Sequence, residues 1–335
     1  MSRRERVAEN LNRALHNLFE NDPRAYLIGE DIADPYGGAF KITRGMSTRF
    51  PQRVLTSPLS EGGIVGVGAG LALMGDTPVV EIMFGDFVAL AFDQLLNFAS
   101  KSVSMYGRTV PMRIVVRCPS GGNRGYGPTH SQSLHKHFVG IPRLSLFEVS
   151  PFHDNTGVFA AMLDRGEPCV LFEDKVLYTL PMYSGGTVDD LFGYEFVDGT
   201  DVARVYAVDD APDWTVIAPG GLTERVLAAA RSLLVERETV CEILIPSRLY
   251  PFDPVPLWPL LARTGGICVV EDGTADGSWG EHLAQLIHSG LWGRLRRPVL
   301  LVSSTRDIIP TAAHLERRVV VQDSSIQHAL AEASR

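Results

Sequence analysis

The sequence predicts an α/β protein built as two domains. Three observations lead there. Apolar, β-branched runs alternate with helix-spaced patterns along the whole chain. The 335 residues suffice for two ordinary domains, each with its own core. The alternation weakens around 181–207, where "PMYSGGTVDDLFGYEFVDGTDVARV" is rich in Gly, Asp and polar residues, and then resumes. That stretch reads as a linker or crossing segment. The boundary falls near residue 200, giving domains 1–200 and 201–335.

The elements follow in order. In "MSRRERVAENLNRALHNLF", Arg3, Arg4 and Arg6 have the charge of a transit peptide. Glu5 and Glu9 oppose that reading, and Val7, Leu11, Leu15 and Leu18 share one helical face, so a first structural helix is expected. "AYLIGE", "RVLTSP", "TPVVEIMF", "MRIVVRCP", "LSLFEVS" and "CVLFED" read as strands, with helical patterns at 63–74, 87–105 and 153–166. In the second half "WTVIAPG", "TVCEILIP", "GICVVED" and "PVLLVSS" read as strands. "LTERVLAAARSLLVE" and "WGEHLAQLIHSG" read as helices. "RRVVVQDSSIQHALAEA" closes the chain as a strand-like run and a helix.

Composition removes several function classes. A formal charge of -8 argues against nucleic acid as a main partner, because phosphate binding needs a basic face. No run reaches the roughly 18 apolar residues of a membrane span. Cys118, Cys169, Cys241 and Cys268 form no CxxC pair, and three lie in β-like runs. A reduced, cytoplasmic protein with buried thiols is expected, without cysteine-bound metal.

Three stretches carry chemistry. "TSPLSEGGIVGVGAGLALMG" (56–75) starts a dinucleotide fingerprint at Gly66 and Gly68, but Leu71 stands where the third glycine belongs, and no GK[ST] phosphate loop exists. A glycine-rich helix from about Gly63 is the plainer reading. Gly66 and Gly70 lie four apart on one face, where another backbone would approach closely. Glu61 just before that helix is either a carboxylate favoured by the helix dipole or a buried acid of raised pKa held for proton transfer. In "EIMFGDFVALAFDQLLNFASK" (81–101), Glu81, Asp86 and Asp93 punctuate an apolar run, and Phe84, Phe87 and Phe92 read as core. "PSGGNRGYGPTHSQSLHKHF" (119–138) is a long ordered loop with His130, His135 and His137. The HxH spacing lacks an acidic or cysteine partner for metal. His130 follows Gly125, Gly127 and Pro128, a rigid presentation that favours a catalytic role.

Taken together these blocks resemble the β subunit of the thiamine-diphosphate-dependent 2-oxoacid dehydrogenase E1 component. "LIGEDIADPYGGAFKITRGM", "TSPLSEGGIVGVGAGLALMG", "EIMFGDFVALAFDQLLNFASK", "THSQS" and "DIIPTAAHLE" follow the family's order over nearly the whole chain. "SPLSEGGIVG" and "FGDFVALAFDQ" lean toward its branched-chain and acetoin type. The resemblance implies two three-layer α/β/α domains with mostly parallel sheets, a transketolase-like pyrimidine-binding domain and a transketolase C-terminal domain. It implies that Glu61 hydrogen-bonds N1′ of the cofactor's aminopyrimidine and promotes removal of the C2 proton. It also implies that Phe87 lies against that ring, that Leu59 and Met83 line the cofactor and substrate region, and that His130 faces the reacting carbon or the acyl acceptor.

The resemblance also sets partners. The superfamily's GDG…N motif, which holds the diphosphate through Mg²⁺, is absent; "FGDF" lacks the second glycine. A separate α subunit is therefore expected to supply that half, in an α₂β₂ assembly, with lipoyl acyltransferase E2 as acyl acceptor. Many relatives hold a monovalent cation such as K⁺ near the segment matching "MLDRGEPC" (Met162, Asp164). Arg165 stands where an acidic ligand is expected, so either Asp164 serves or the guanidinium replaces the ion. Two alternatives remain open: the β half of a split transketolase-like or acyloin-forming enzyme, and a non-catalytic regulatory subunit.

Overall fold

The computed structural model describes residues 3–274 and 276–334. The chain divides into two units. The first holds the residues up to Gly121 together with His137–Met182; the second holds Gly122–Lys136 and the chain from Tyr183 on. The His130 loop, 122–136, therefore packs with the second unit although the chain reaches it from the first.

In the first unit, β1 (Ala25–Gly29), β2 (Val54–Thr56), β3 (Thr77–Glu81), β4 (Val115–Ser120), β5 (Ser145–Glu148) and β6 (Cys169–Asp174) run in the order β5-β6-β4-β3-β1-β2. All of these pairings are parallel. Strands buried on both faces read as unbroken apolar runs, which is why these segments were legible. The expected first helix is present as Val7–Asn21; it buries Val7, Leu11, Leu15 and Phe19 in a core shared with Leu27, Val79, Val115 and Leu171.

The second unit contains β7 (Gly193–Phe196), β8 (Val202–Tyr206), β9 (Trp214–Ile217), β10 (Cys241–Pro246), the short β11 (Arg248–Tyr250), β12 (Gly266–Thr274) and β13 (Leu300–Ser304). One sheet has the order β13-β12-β9-β10-β8-β7. Its β13, β12, β9 and β10 pair in parallel, while β8 and β7 add an antiparallel edge. Helices Thr223–Arg237 and Trp279–Gly290 follow β9 and β12, the latter closed by a Ser278–Glu281 capping box. The two α/β domains with mostly parallel sheets match the expected fold class.

Four local expectations are corrected. The segment 181–207 is not a mere linker, since it supplies β7 and β8; Gly- and Asp-rich turns break it into strands too short to show a period. The helix expected over 87–105 is a tight 3₁₀ turn Gly85–Ala91, a π-type turn Gln94–Ala99 and a short helical end Ser100–Ser102. Gly85 enters it so close to Pro119 that a Cβ would lie 3.0 Å from that carbonyl. "RRVVVQ" is no strand: Ala313–Val319 is helical, and Val321 bonds to Asp272 and Arg225 side chains instead of to a ladder. The glycine helix begins at Glu61, two residues before the expected start, and ends at Leu73; within this chain its tightest contact is at Gly68.

A Cβ on Gly68 would lie 2.7 Å from Val80 Cγ2 and 3.1 Å from Ile114 Cδ1, whereas a Cβ on Gly70 meets nothing within 4 Å. Gly68→Val is expected to cost about 1–3 kcal/mol by overpacking. Gly70→Ala is expected to stabilise the isolated chain by about 0.5–1 kcal/mol through helix propensity. Urea denaturation of both variants checks this; equal effects would contradict the packing described.

Candidate active site

The carboxyl ends of parallel strands are where an open α/β sheet binds ligands. In the first unit those ends carry an unusual density of buried charge. Arg117 on β4 is wholly buried between two carboxylates from neighbouring strands. Its Nη1 donates to Glu81 Oε2 at 2.6 Å, and its Nε and Nη2 donate to both oxygens of Glu173 at 2.7 and 2.8 Å. Tyr178 Oη adds a fourth bond, to Glu173 Oε2 at 2.8 Å. Burial pushes the Glu81 carboxyl up, with the Arg117 charge opposing it, and the two carboxylates hold the guanidinium protonated.

Glu61 is the first residue of the glycine helix and is only 5% exposed. It therefore lies inside the helix's first turn rather than ahead of it, where the dipole favours an anion. Glu30, one residue beyond β1 and 7% exposed, lies beside it and accepts the Ser60 N–H at 3.3 Å. Burial and then the Glu61 charge raise the Glu30 carboxyl above its ordinary range. Sequence reasoning missed Glu30; its signal was an acid placed directly after the apolar run "AYLIG".

The other expected residues surround this helix start. Leu59 is 77% exposed on the approach to it. The helix packs on the 3₁₀ turn carrying Phe87: a Cβ on Gly62 would sit 3.1 Å from the Leu90 carbonyl. Phe87 is half-buried and edge-on to Phe84, whose ring in turn meets Phe40 edge-on. Met83 is half-buried between β3 and that turn, and Asp86 is buried within it. Leu59, Glu61, Met83 and Phe87 thus all belong to the first unit, on elements that touch.

His130 belongs to the second unit, half-exposed, with Nδ1 2.9 Å from Thr129 Oγ1. At the "MLDRGEPC" segment, Met162 is buried, Asp164 is exposed, and Arg165 points its Nε at Ser145 Oγ (2.7 Å) and its Nη2 at Glu167 Oε2 (3.2 Å). Arg143 reaches the same Glu167 at 2.9 Å. Among the described residues no group of three or more His, Cys, Asp or Glu is arranged to hold a metal ion. All four cysteines are buried and outside any disulfide, and burial pushes the Cys241 thiol up to about 12.

Because the folded-state Glu30 carboxyl titrates above its unfolded value, its stabilising contribution is full below about pH 4.3 and is lost as pH rises through the folded value. Glu30→Gln is therefore expected to gain on the wild type as pH rises, by about 1–3 °C in Tm between pH 4.5 and pH 8. Melting curves across that range check it, and a difference that shrinks with pH would contradict it.

Comparison with known proteins places this architecture. The transketolase pyrimidine-binding domain model matches residues 6–181, and the transketolase C-terminal domain model matches residues 203–326. The β-4 subunit of a chloroplastic pyruvate dehydrogenase E1 component from Oryza sativa subsp. japonica is 31% identical over 95% of this chain and 77% of its own length. The β subunit of acetoin:2,6-dichlorophenolindophenol oxidoreductase from Bacillus subtilis (strain 168) is 28% identical over 92% of this chain and 91% of its own. Among solved structures, a split-gene transketolase described as an inactive β4 tetramer superposes with a TM-score of 0.72 at 18% identity, covering 97% and 96% of the two chains. The Campylobacter jejuni transketolase superposes with a TM-score of 0.69 at 14% identity, over 98% of this chain but only 47% of its own. The chain belongs to the E1-component β-subunit family, built from a transketolase pyrimidine-binding domain and a transketolase C-terminal domain.

Proposed function

We propose that this chain is the β subunit of a thiamine-diphosphate-dependent 2-oxoacid dehydrogenase, active with an α-type partner in an α₂β₂ assembly and passing an acyl group to a lipoyl carrier such as E2. One observation carries the reading. Glu61, a buried carboxylate, opens a helix at the carboxyl edge of the pyrimidine-binding domain, with a second buried acid beside it.

The residues present fit one half of the cofactor. Glu61 would hold the aminopyrimidine by accepting and returning a proton at N1′. Phe87, braced edge-on by Phe84, offers a flat apolar wall. Met83 would line the space toward the substrate, and Leu59, exposed in the isolated chain, would be covered by cofactor and partner. The GDG…N motif for the diphosphate half is missing from this sequence, so that half, with its Mg²⁺, is assigned to the α partner. When bound, thiamine diphosphate supplies the electron sink that lets a 2-oxoacid lose carbon dioxide. The chain's own work is proton handling. Glu61, buried at the helix start, would hold and return a proton at N1′, and Glu30 holds the Ser60 backbone at the turn into the helix. His130 would hold a proton near the substrate oxygen or the acyl acceptor.

A resident potassium ion does not fit. At the corresponding turn the Arg165 guanidinium already spans Ser145 and Glu167, a fixed positive charge where an ion would need acidic oxygens.

Two tests follow. In the reconstituted complex Glu61→Gln should slow hydrogen–deuterium exchange at cofactor C2 by about 10²-fold or more; exchange at the wild-type rate would end the proton-relay reading. Replacing potassium with tetramethylammonium should leave turnover and Tm unchanged, while Arg165→Met lowers Tm; strong potassium dependence of the wild type would show that the arginine does not replace an ion.

A further inference from the structure

The loop that carries His130 is bound at its backbone by a side chain far away in sequence. Glu316 lies in the helix Ala313–Val319 and is 1% exposed. Its two carboxylate oxygens are spent on the loop backbone: Oε1 accepts the Asn123 N–H at 2.9 Å, and Oε2 accepts the Gly125 N–H at 3.0 Å. A buried carboxylate with both oxygens bonded to main-chain donors is a strong, directional clamp, because the carboxylate has little water to replace those bonds.

The clamp has a rigid base and a stiff arm. The Glu316 carbonyl accepts the Val320 N–H, and the Val319 carbonyl accepts the Thr305 N–H just beyond β13. Val321 is tied to Asp272 at the end region of β12 and to Arg225, which pairs with Asp272. Gln322 Nε2 donates to the Asn123 side chain at 3.1 Å. On the loop side, Asn123, Gly125 and Gly127 all have positive φ, at 64°, 72° and 79°. A Cβ on Gly127 would lie 2.6 Å from Thr311 Oγ1. The loop is thus wound tightly against the 311–322 segment, and His130 N–H closes back on the Gly127 carbonyl at 3.4 Å.

We propose that Glu316 is a positioning residue for His130: its carboxylate fixes the turn 123–127 and through it the place from which the imidazole meets the substrate. The proposal rests on the reading of His130 as a catalytic group. Glu316 itself touches no substrate, so its removal acts only through the loop.

The test uses the reconstituted α–β complex, with pyruvate and branched 2-oxoacids as substrates and dichlorophenolindophenol as electron acceptor. Glu316→Gln keeps size but must turn an amide N–H₂ toward one of the two backbone donors. Turnover should fall about tenfold, and amide exchange at Asn123 and Gly125 should speed up at least about tenfold, with β8–β10 unchanged. In a His130→Ala background the same substitution should change turnover less than about twofold. Should Glu316→Gln melt below assay temperature, Glu316→Asp, which keeps the charge and shortens its reach, carries the same test. Unchanged exchange in the loop, or a slowing of His130→Ala as large as that of the wild type, would overturn the proposal. Wild-type turnover in His130→Ala alone would instead remove the catalytic reading of His130, and the exchange data would then judge the clamp by themselves.

Discussion

Everything in the first domain is arranged around one buried guanidinium. Arg117 sits wholly buried between Glu81 and Glu173 on three adjacent strands. Such a group is costly to bury and more costly to unpair: losing one partner of a buried ion pair typically costs about 3–5 kcal/mol. The triad therefore tolerates little slippage of β3, β4 and β6. The segments leaving the carboxyl ends of those strands carry several of the candidate site residues. β3 leads to Met83 and Phe87, β4 to the glycine-rich loop, and β6 to Asp174 and Tyr178. An ion triad inside the sheet thus acts as a register pin for the site above it.

In the same domain Glu61 and Glu30 bring two buried acids together, and burial followed by the neighbouring Glu61 charge raises the Glu30 carboxyl. The glycine helix lets this happen close to the sheet, since Gly68 allows the helix backbone to lie almost on Val80 and Ile114. The second domain holds the 122–136 loop, whose sequence position lies within the first, and Glu316 binds its backbone.

The fold class was legible because two-sided burial writes itself as apolar runs, and the parallel strands of both domains were read correctly on that basis. Glu61 was legible as an acid at the start of a glycine-rich apolar helix, a place where the helix dipole and a proton-transfer role both suit a carboxylate. What sequence could not reveal was pairing across distance. Arg117 reads as a charge interrupting "MRIVVRCP", and its partners lie 36 and 56 residues away. Glu316 ends the block "DIIPTAAHLE", and its oxygens accept from residues 193 and 191 positions earlier. Irregular helices also escaped notice, since the apolar spacing of 87–105 fits an ordinary helix and only the crowding of Gly85 against β4 tightens it. The edge strands β7 and β8 were hidden by their own turns.

The central claim is that this chain carries the pyrimidine half of a split cofactor site. Calorimetric titration of the purified chain with thiamine diphosphate and Mg²⁺, with and without an α-type partner, tests it most directly. The account predicts no measurable binding to the chain alone and saturable binding once the partner is present, with native mass spectrometry reporting the α₂β₂ mass. Tight, magnesium-dependent binding to the chain alone would place the diphosphate site within these 335 residues and contradict the split.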